Sequence, residues 1–271
     1  MNPIVYQFGP IEIHAFTAWI ALGVTAGIVI TLGMAHFRQQ RLMPWLDACV
    51  GGVVGGLIGA RAFHVWLNWA YFSAHTDQIA ALSSGGLDWH GAVIGGLIGA
   101  ASVALVRHVP LLPLMDAFAL ALPFGAMAGW AASASANAGY GVEVWTLADY
   151  PSWLVTESPD IYGIVAPRLN LPPIGIVLAV VVLVLVVILT LLGRLGGARL
   201  WLALCLYSLG MGVISFFRAE YVPIWLGRRA DQVLDLALAL AAILIFGVVA
   251  LLQRRRTLAS LRSLPTSTTP G

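Results

Sequence analysis

Gly85-Gly86-Leu87-Asp88-Trp89-His90-Gly91-Ala92-Val93-Ile94-Gly95-Gly96-Leu97-Ile98-Gly99-Ala100 is the stretch on which the reading of this chain turns. From Gly91 the glycines recur every fourth residue, at Gly91, Gly95 and Gly99, with Ala92, Gly96 and Ala100 beside them. Such a small-residue face lets two helix backbones approach closely inside a bilayer. Asp88 and His90 stand at the mouth of this helix, where a tightly packed segment meets an interface. An imidazole takes or gives a proton near neutral pH. His90 therefore has two readings: an anchor that bonds a neighbouring carbonyl at the helix end, or a functional ionisable group in a membrane protein.

A near-copy of the stretch lies upstream. Gly51-Gly52-Val53-Val54-Gly55-Gly56-Leu57-Ile58-Gly59-Ala60 matches Gly91–Ala100 at eight positions of ten. The flanks do not match, so no duplicated domain is inferred. The expectation is that these two segments are antiparallel neighbours in close contact.

Working outward, 60% of the 271 residues are hydrophobic and only 10% are charged, whereas a soluble domain is about 25% charged. Seven apolar spans of helical length are expected, at 14–36, 45–67, 91–107, 113–133, 172–193, 199–217 and 231–252. A bilayer crossing needs about 20 apolar residues, with about 17 as a lower bound. Runs this long and continuous are unlike barrel strands. The first is too long for a signal-peptide core, lacks a basic leader and is followed by six more. The fold class expected is an all-α polytopic membrane protein with seven transmembrane helices.

Every basic side chain other than histidine is arginine. Arg38, Arg41, Arg107, Arg194, Arg199, Arg254, Arg255, Arg256 and Arg262 all fall on one side if the N-terminus is outside and the C-terminus inside. The opposite loops hold fewer, so the positive-inside rule gives N-out/C-in. Residues 1–253 are expected to form the membrane domain. Residues 254–271, basic and then Pro/Ser/Thr-rich, are expected to be a disordered cytoplasmic tail facing anionic lipid. A loop arm is expected on the outer face at about 134–171. The net charge of +2 and the absence of a basic stripe with interleaved aromatics point away from nucleic acid. Cys49 and Cys205 read as buried hydrophobes, and no metal-ligand spacing is seen.

The run Gly-Gly-x-x-aromatic-His-Gly-x-x-Ile-Gly at 85–95 resembles the central motif of the prolipoprotein diacylglyceryl transferases. Further similarities are Gly59-Ala60-Arg61 to a family Gly-Gly-Arg, Pro123 to Gly129, Phe216-Phe217-Arg218 to a family Phe-aromatic-Arg, and Gln232 to a recurrent glutamine. The resemblance implies transfer of a diacylglyceryl group from phosphatidylglycerol to the lipobox cysteine thiol of a prolipoprotein, at a bacterial cell membrane and without a cofactor or metal. It implies that His90 is the base and that Arg61, Arg218 and Gly141 meet the phospholipid phosphate. Asp88, Gly91, Gly95, Asp231 and Gln232 then support the site. A buried arginine in lipid must snorkel, pair or hold an anion. Arg61 thus has two readings, a pair with Asp88 or a bidentate phosphate contact.

The chain departs from the family pattern at Phe16, Trp130, Ser133, Ala138, Met211 and Ser215, which stand where the family carries polar functional side chains. Asn137, Tyr140 or Glu143 are candidates to cover the lost polar contacts. Two rival readings follow. One is a relative that binds phospholipid in the same cavity without transferring it. The other is a small-solute transporter, against which stands the lack of paired broken helices in corresponding halves.

Overall fold

The computed structural model describes residues 4–8, 11–81, 85–160 and 162–262. It is mostly helical. The helices are α1 (Ala15–Phe37), α2 (Leu42–Leu67), a single turn α3 (Trp69–Phe72), α4 (Trp89–Val106), α5 (Leu111–Ser135), α6 (Leu171–Leu191), α7 (Arg199–Ser215) and α8 (Ala230–Arg262). By length and composition six are long and apolar enough to cross a membrane: α1, α2, α4, α5, α6 and the Ala230–Arg255 part of α8. The apolar run expected at 199–217 gives α7, with 17 residues. At 1.5 Å per residue that is about 25 Å.

The physical reason for the short α7 lies in the segment after it. The helix stops at Ser215 because the next residues pair with a strand instead. Val142 N–H donates to Phe217 O (2.8 Å) and Ala219 N–H to Tyr140 O (3.2 Å), with a bridge between Gly141 and Arg218. The arm expected at 134–171 is accordingly not a bare loop. It holds β3 (Tyr140–Glu143), β4 (Val155–Pro159) and β5 (Val165–Asn170) in an antiparallel sheet of order β3-β5-β4. A second small hairpin, β1 (Ile4–Phe8) with β2 (Ile11–His14), precedes α1. A third, β6 (Ile224–Trp225) with β7 (Arg228–Arg229), precedes α8. These small sheets lie outside the long helices, and the mostly helical bundle agrees with the expected all-α polytopic class. Helix α8 runs on to Arg262, so the first part of the expected tail continues the helix; residues 263–271 lie outside the described residues.

Helices α2 and α4 meet backbone against backbone. A Cβ built on Gly59 would lie 2.9 Å from the Gly95 Cα, and one built on Gly55 would lie 3.1 Å from the Gly99 Cα. Gly51 faces Gly99 O, Gly55 faces Gly95 O and Gly59 faces Gly91 O. As one number rises by four its partner falls by four, so the helices run antiparallel with backbone against backbone. This is the contact expected from the two matching decapeptides. Elsewhere the core is bulkier, with Trp45, Leu114, Leu171, Leu200, Leu204, Val182 and Val186 fully buried. Large apolar residues such as Val177, Val181, Val184 and Ile188 on α6 remain exposed, as expected of a helix surface that faces lipid tails.

Alternation of the long helices sends the two hairpins and the three-stranded sheet, with residues 68–81 and 85–88, to one end of the bundle. The opposite end is held by ion pairs. Asp116 of α5 is buried and meets Arg199 Nη1 at 3.4 Å and Arg38 Nη2 at 3.5 Å. It also accepts from Gly197 N–H at 2.6 Å. Arg107 Nε donates to Asp47 at 2.6 Å, which ties α4 to α2.

The glycine contact makes a prediction. Gly95→Leu should lower the unfolding midpoint and folded yield, through overpacking of about 1–3 kcal/mol or more. Gly33, which has no atom within 4 Å of an added Cβ, is the control: Gly33→Ala should be neutral or stabilising by up to about 1 kcal/mol. Thermal unfolding in detergent checks both; equal midpoints for Gly95→Leu and the parent would show that the backbones are not in close contact.

Candidate functional site

The site is assembled at the end that carries the sheets. Asp88 is the N-cap of α4, a position where Asp is favoured because its carboxylate accepts orphan amide protons. Its Oδ1 accepts from His90 N–H (2.8 Å) and Gly91 N–H (3.2 Å). The same oxygen lies 3.1 Å from His90 Nδ1. On the other edge of the ring, His90 Nε2 lies 2.9 Å from Asp235 Oδ1 on α8. His90 is 2% exposed and Asp235 1%. The imidazole is thus bracketed by two carboxylates, and Trp89 and Phe63 flank it at ring-centroid distances of 4.2 and 6.2 Å. Asp88, outside the helices, is held below the ordinary carboxylate range. Burial alone would raise it, and the bond and charge of His90 with the two amide donors outweigh that.

Arg61, buried on α2, serves the loop that leads into α4. Its Nε donates to Ile79 O (2.8 Å), Nη2 to Gln78 O (2.6 Å), and Nη1 to Gly85 O (2.6 Å) and Gly86 O (3.1 Å). It stacks on Phe72, 5.3 Å from the ring centroid. Gly85 and Gly86 have φ of +79° and +75°, a left-handed conformation open to glycine at little cost. A Cβ on Gly86 would lie 2.9 Å from Arg61 Nη1. The expected Arg61–Asp88 pair is replaced by these carbonyls. A bidentate phosphate contact by Arg61 would require it to give up some of them.

Arg218 lies just past α7. Its guanidinium pairs with Glu220, and its Nε is buried with no hydrogen-bond acceptor among the described residues. Burial would weaken its charge, but the carboxylates of Glu220, Asp231 and Asp235 more than offset this. Glu220 also accepts from Gly139 N–H at 2.5 Å. Asp231 forms a two-pronged pair with Arg229, at 3.1 and 3.0 Å. Arg229 in turn donates to Arg218 O (3.0 Å) and Glu220 O (3.1 Å).

Gly141 is expected at the phosphate, and the structure places it in the arm, where β3 crosses residues 217–218. A Cβ there would lie 2.8 Å from Leu169 O and 3.0 Å from Phe217 O. Gly91 and Gly95 belong to the α2–α4 seam. Gln232, partly buried, donates its backbone N–H to Asp231 Oδ1 at 3.0 Å. A cavity of about 420 Å³ opens beside this group, lined in part by Asn137, Tyr140, Asp160 and Glu220.

Four of the positions that depart from the resemblance, Trp130, Ser133, Met211 and Ser215, are packed or bonded within the bundle, while Ala138 lines the cavity. Trp130 is buried against Gly175, and its Nε1 donates to Tyr207 Oη at 3.1 Å. Ser133 and Ser215 donate to Gly129 O and Gly212 O on their own helices. Met211 is buried. Glu143 faces Arg168 at 3.6 Å within the arm. Asp235, Glu220 and Arg229 join the site only in the folded structure. A carboxylate inside the apolar run of α8 was a legible signal. Glu220 and Arg229 carry no spacing that marks them, and only the fold brings them to Arg218.

A family model described as prolipoprotein diacylglyceryl transferase matches residues 3–248. The chain belongs to this family. Three relatives named phosphatidylglycerol–prolipoprotein diacylglyceryl transferase illustrate the similarity. One from Lactobacillus gasseri is 32% identical over 119 residues, covering 44% of this chain and 43% of the relative. One from Lactobacillus delbrueckii subsp. bulgaricus is 34% identical over 120 residues, covering 43% and 42%. One from Bacillus licheniformis is 30% identical over 129 residues, covering 48% of each. The chain thus spans less than half the length of the curated relatives it matches. Among the described residues no cluster of His, Cys, Asp and Glu suits a metal.

The depressed Asp88 carboxyl makes stability depend on pH on the acid side. A carboxyl depressed in the folded state stabilises the fold above its unfolded value, about 3.9. That contribution is lost as pH falls through the lower folded value. Asp88→Asn, which can still cap a helix, should remove this acid-side loss, whereas Asp88→Ala should also cost about 1 kcal/mol of capping. Unfolding midpoints across about pH 2 to 6 test it; identical acid profiles for the parent and Asp88→Asn would count against the assignment.

Proposed function

We propose that this chain transfers a diacylglyceryl group from phosphatidylglycerol to the lipobox cysteine thiol of a prolipoprotein. The observation that carries the proposal is that a family member holds, at one end of its bundle, a buried imidazole bracketed by carboxylates and Arg218. Among the described residues that arginine has a buried donor without an acceptor. The chemistry needs both kinds of group. A thiolate is the nucleophile, so a base must remove the thiol proton. The departing glycerol phosphate needs fixed positive charge.

In this reading Arg218 holds the phosphate directly. Arg61 adds charge at the same end and holds the carbonyls of Gln78, Ile79, Gly85 and Gly86, while Gly141 keeps the arm close enough for Arg218 to sit beneath it. Asp231 and Gln232 hold the start of α8. His90 takes the thiol proton at Nδ1. Its partner there, Asp88, is the more exposed carboxylate and keeps two amide donors when substrate takes its place at Nδ1. The sulfur then bonds to the glyceryl carbon. The carbon–oxygen bond to phosphate breaks, and its electron pair leaves on glycerol phosphate. The product is a thioether.

The proposal includes the setting. All seven long helices cross a bacterial inner membrane, N-out/C-in, with α7 spanning a locally thinner stretch. The site and arm face outward, where precursor and lipid meet. Residues 1–253 form the membrane domain and 254–271 the cytoplasmic tail. Arginine asymmetry supports this orientation. A second reading, phospholipid binding without transfer, is favoured by one observation. Trp130, packed on Gly175 and bonded to Tyr207, fills the place where the family carries a phosphate-binding arginine.

Purified protein incubated with phosphatidylglycerol and a lipobox peptide tests these readings. Thioether product should form in the parent and vanish in His90→Ala, with lipid still bound. Arg218→Ala should weaken lipid retention about ten- to a hundredfold, the loss of one charged hydrogen bond. Bound lipid without product in the parent would establish the second reading. Accessibility labelling should place residues 68–81 outside; labelling from the cytoplasm would overturn the orientation.

A further inference from the structure

Asp235 is a carboxylate one turn inside an apolar helix, and taking such a group out of water costs several kcal/mol unless it is paired and bonded. Its hydrogen-bond partner among the described residues is a single atom, His90 Nε2, 2.9 Å away and 145 positions distant in sequence. The neighbouring helix makes room for it: a Cβ on Gly212 of α7 would lie 3.5 Å from the Asp235 Cβ. Asp88 is in a different position, because two backbone amides already serve the oxygen it turns to the ring. A carboxylate oxygen and a ring nitrogen lone pair repel, so a contact of about 3 Å between them needs a proton in the gap. His90 has two such contacts, one on each edge. The other charged or titratable groups within electrostatic reach of this pair are Asp231 on α8, Arg218 after α7 and Tyr207 on α7.

We infer that Asp235 is a positioning residue for His90: with Asp88 it brackets the imidazole so that each nitrogen shares a proton with a carboxylate. The inference rests on reading His90 as the group that handles the thiol proton. Asp235 does not touch substrate. It fixes the ring plane and holds the Nε2 proton in place, so that exchange is confined to Nδ1. The ring unloads its Nδ1 proton through the part-exposed Asp88 and refills that position from the thiol. Without Asp235 the ring is free to turn, and Nε2 competes for the incoming proton.

Two measurements test this on the full chain in detergent or nanodiscs. Nitrogen-15 spectra of histidine-labelled protein, with His90 assigned from His90→Gln, should show both ring nitrogens protonated near neutral pH. Asp235→Asn should lose one of them, and Asp235→Glu should restore it. In the transfer assay Asp235→Asn should lower kcat about a hundredfold, the size of effect expected when a reacting group is misplaced by about 1 Å. The KM for phosphatidylglycerol should not change. A parent spectrum with one protonated nitrogen would overturn the inference, and so would full kcat in an Asp235→Asn protein that still binds lipid. If Asp235→Asn does not fold, the parent and Asp235→Glu spectra decide alone. Product formed by His90→Ala would defeat the reading of His90 as base, and the spectra would still decide whether Asp235 brackets the ring.

Discussion

The backbone contact between α2 and α4 is the constraint from which the site follows. Because Gly59 and Gly91 meet without side chains between them, the C-terminal part of α2 lies directly against the start of α4. Asp88 N–H then reaches Ala60 O at 3.1 Å, and Arg61, the next residue, reaches the carbonyls of the loop that enters α4. A single apolar seam therefore fixes the cap of α4, the guanidinium that gathers the loop and the ring of His90. Any side chain at the seam would push the helices apart and move all three. In lipid, where apolar tails offer no drive to bring helices together, such close backbone approach supplies dispersion and weak polar contact instead.

Burying charge in an apolar bundle is tolerated where each group is answered. At the site end the groups form a chain. Asp88, His90 and Asp235 join α4 to α8, while Asp231, Arg229, Arg218 and Glu220 join α8, the segment after α7 and the arm. At the opposite end Asp116 gathers Arg38 and Arg199. The two clusters differ in one respect that bears on function. Asp116 meets two arginines and an amide. At the site end, by contrast, Arg218 has a buried donor with no acceptor among the described residues. The arm sheet does more than decorate this end. By pairing with residues 217–219 it shortens α7 and holds Arg218 over the start of α8.

Trp130 shows how a family site is remodelled without leaving a hole. A family arginine would bring charge into the bundle between α5 and α6. Here an indole fills the same region, packs on Gly175 and satisfies its N–H with Tyr207. The indole thus brings no charge into the bundle and leaves no buried polar atom of its own unanswered.

By itself the sequence determined the helices and one of their contacts. Runs of about 20 apolar residues have few stable forms in lipid, and two glycine ladders of equal period can be matched only face to face. It also placed His90 and Arg218 at the same end, because helix alternation follows from counting spans. Partners were the part that only the tertiary structure decided. Asp88 answers the ring and an amide cap rather than Arg61, and Arg61 answers carbonyls that no residue pattern marks. The arm is a sheet because its strands find one another and the end of α7. Asp235 meets His90 because α8, packed along α7, also returns beside α4. Local spacing specifies which face a side chain shares with its own helix. Which oxygen meets which nitrogen across 145 residues depends on how the helices are rotated and shifted, and that is settled by packing over the whole bundle.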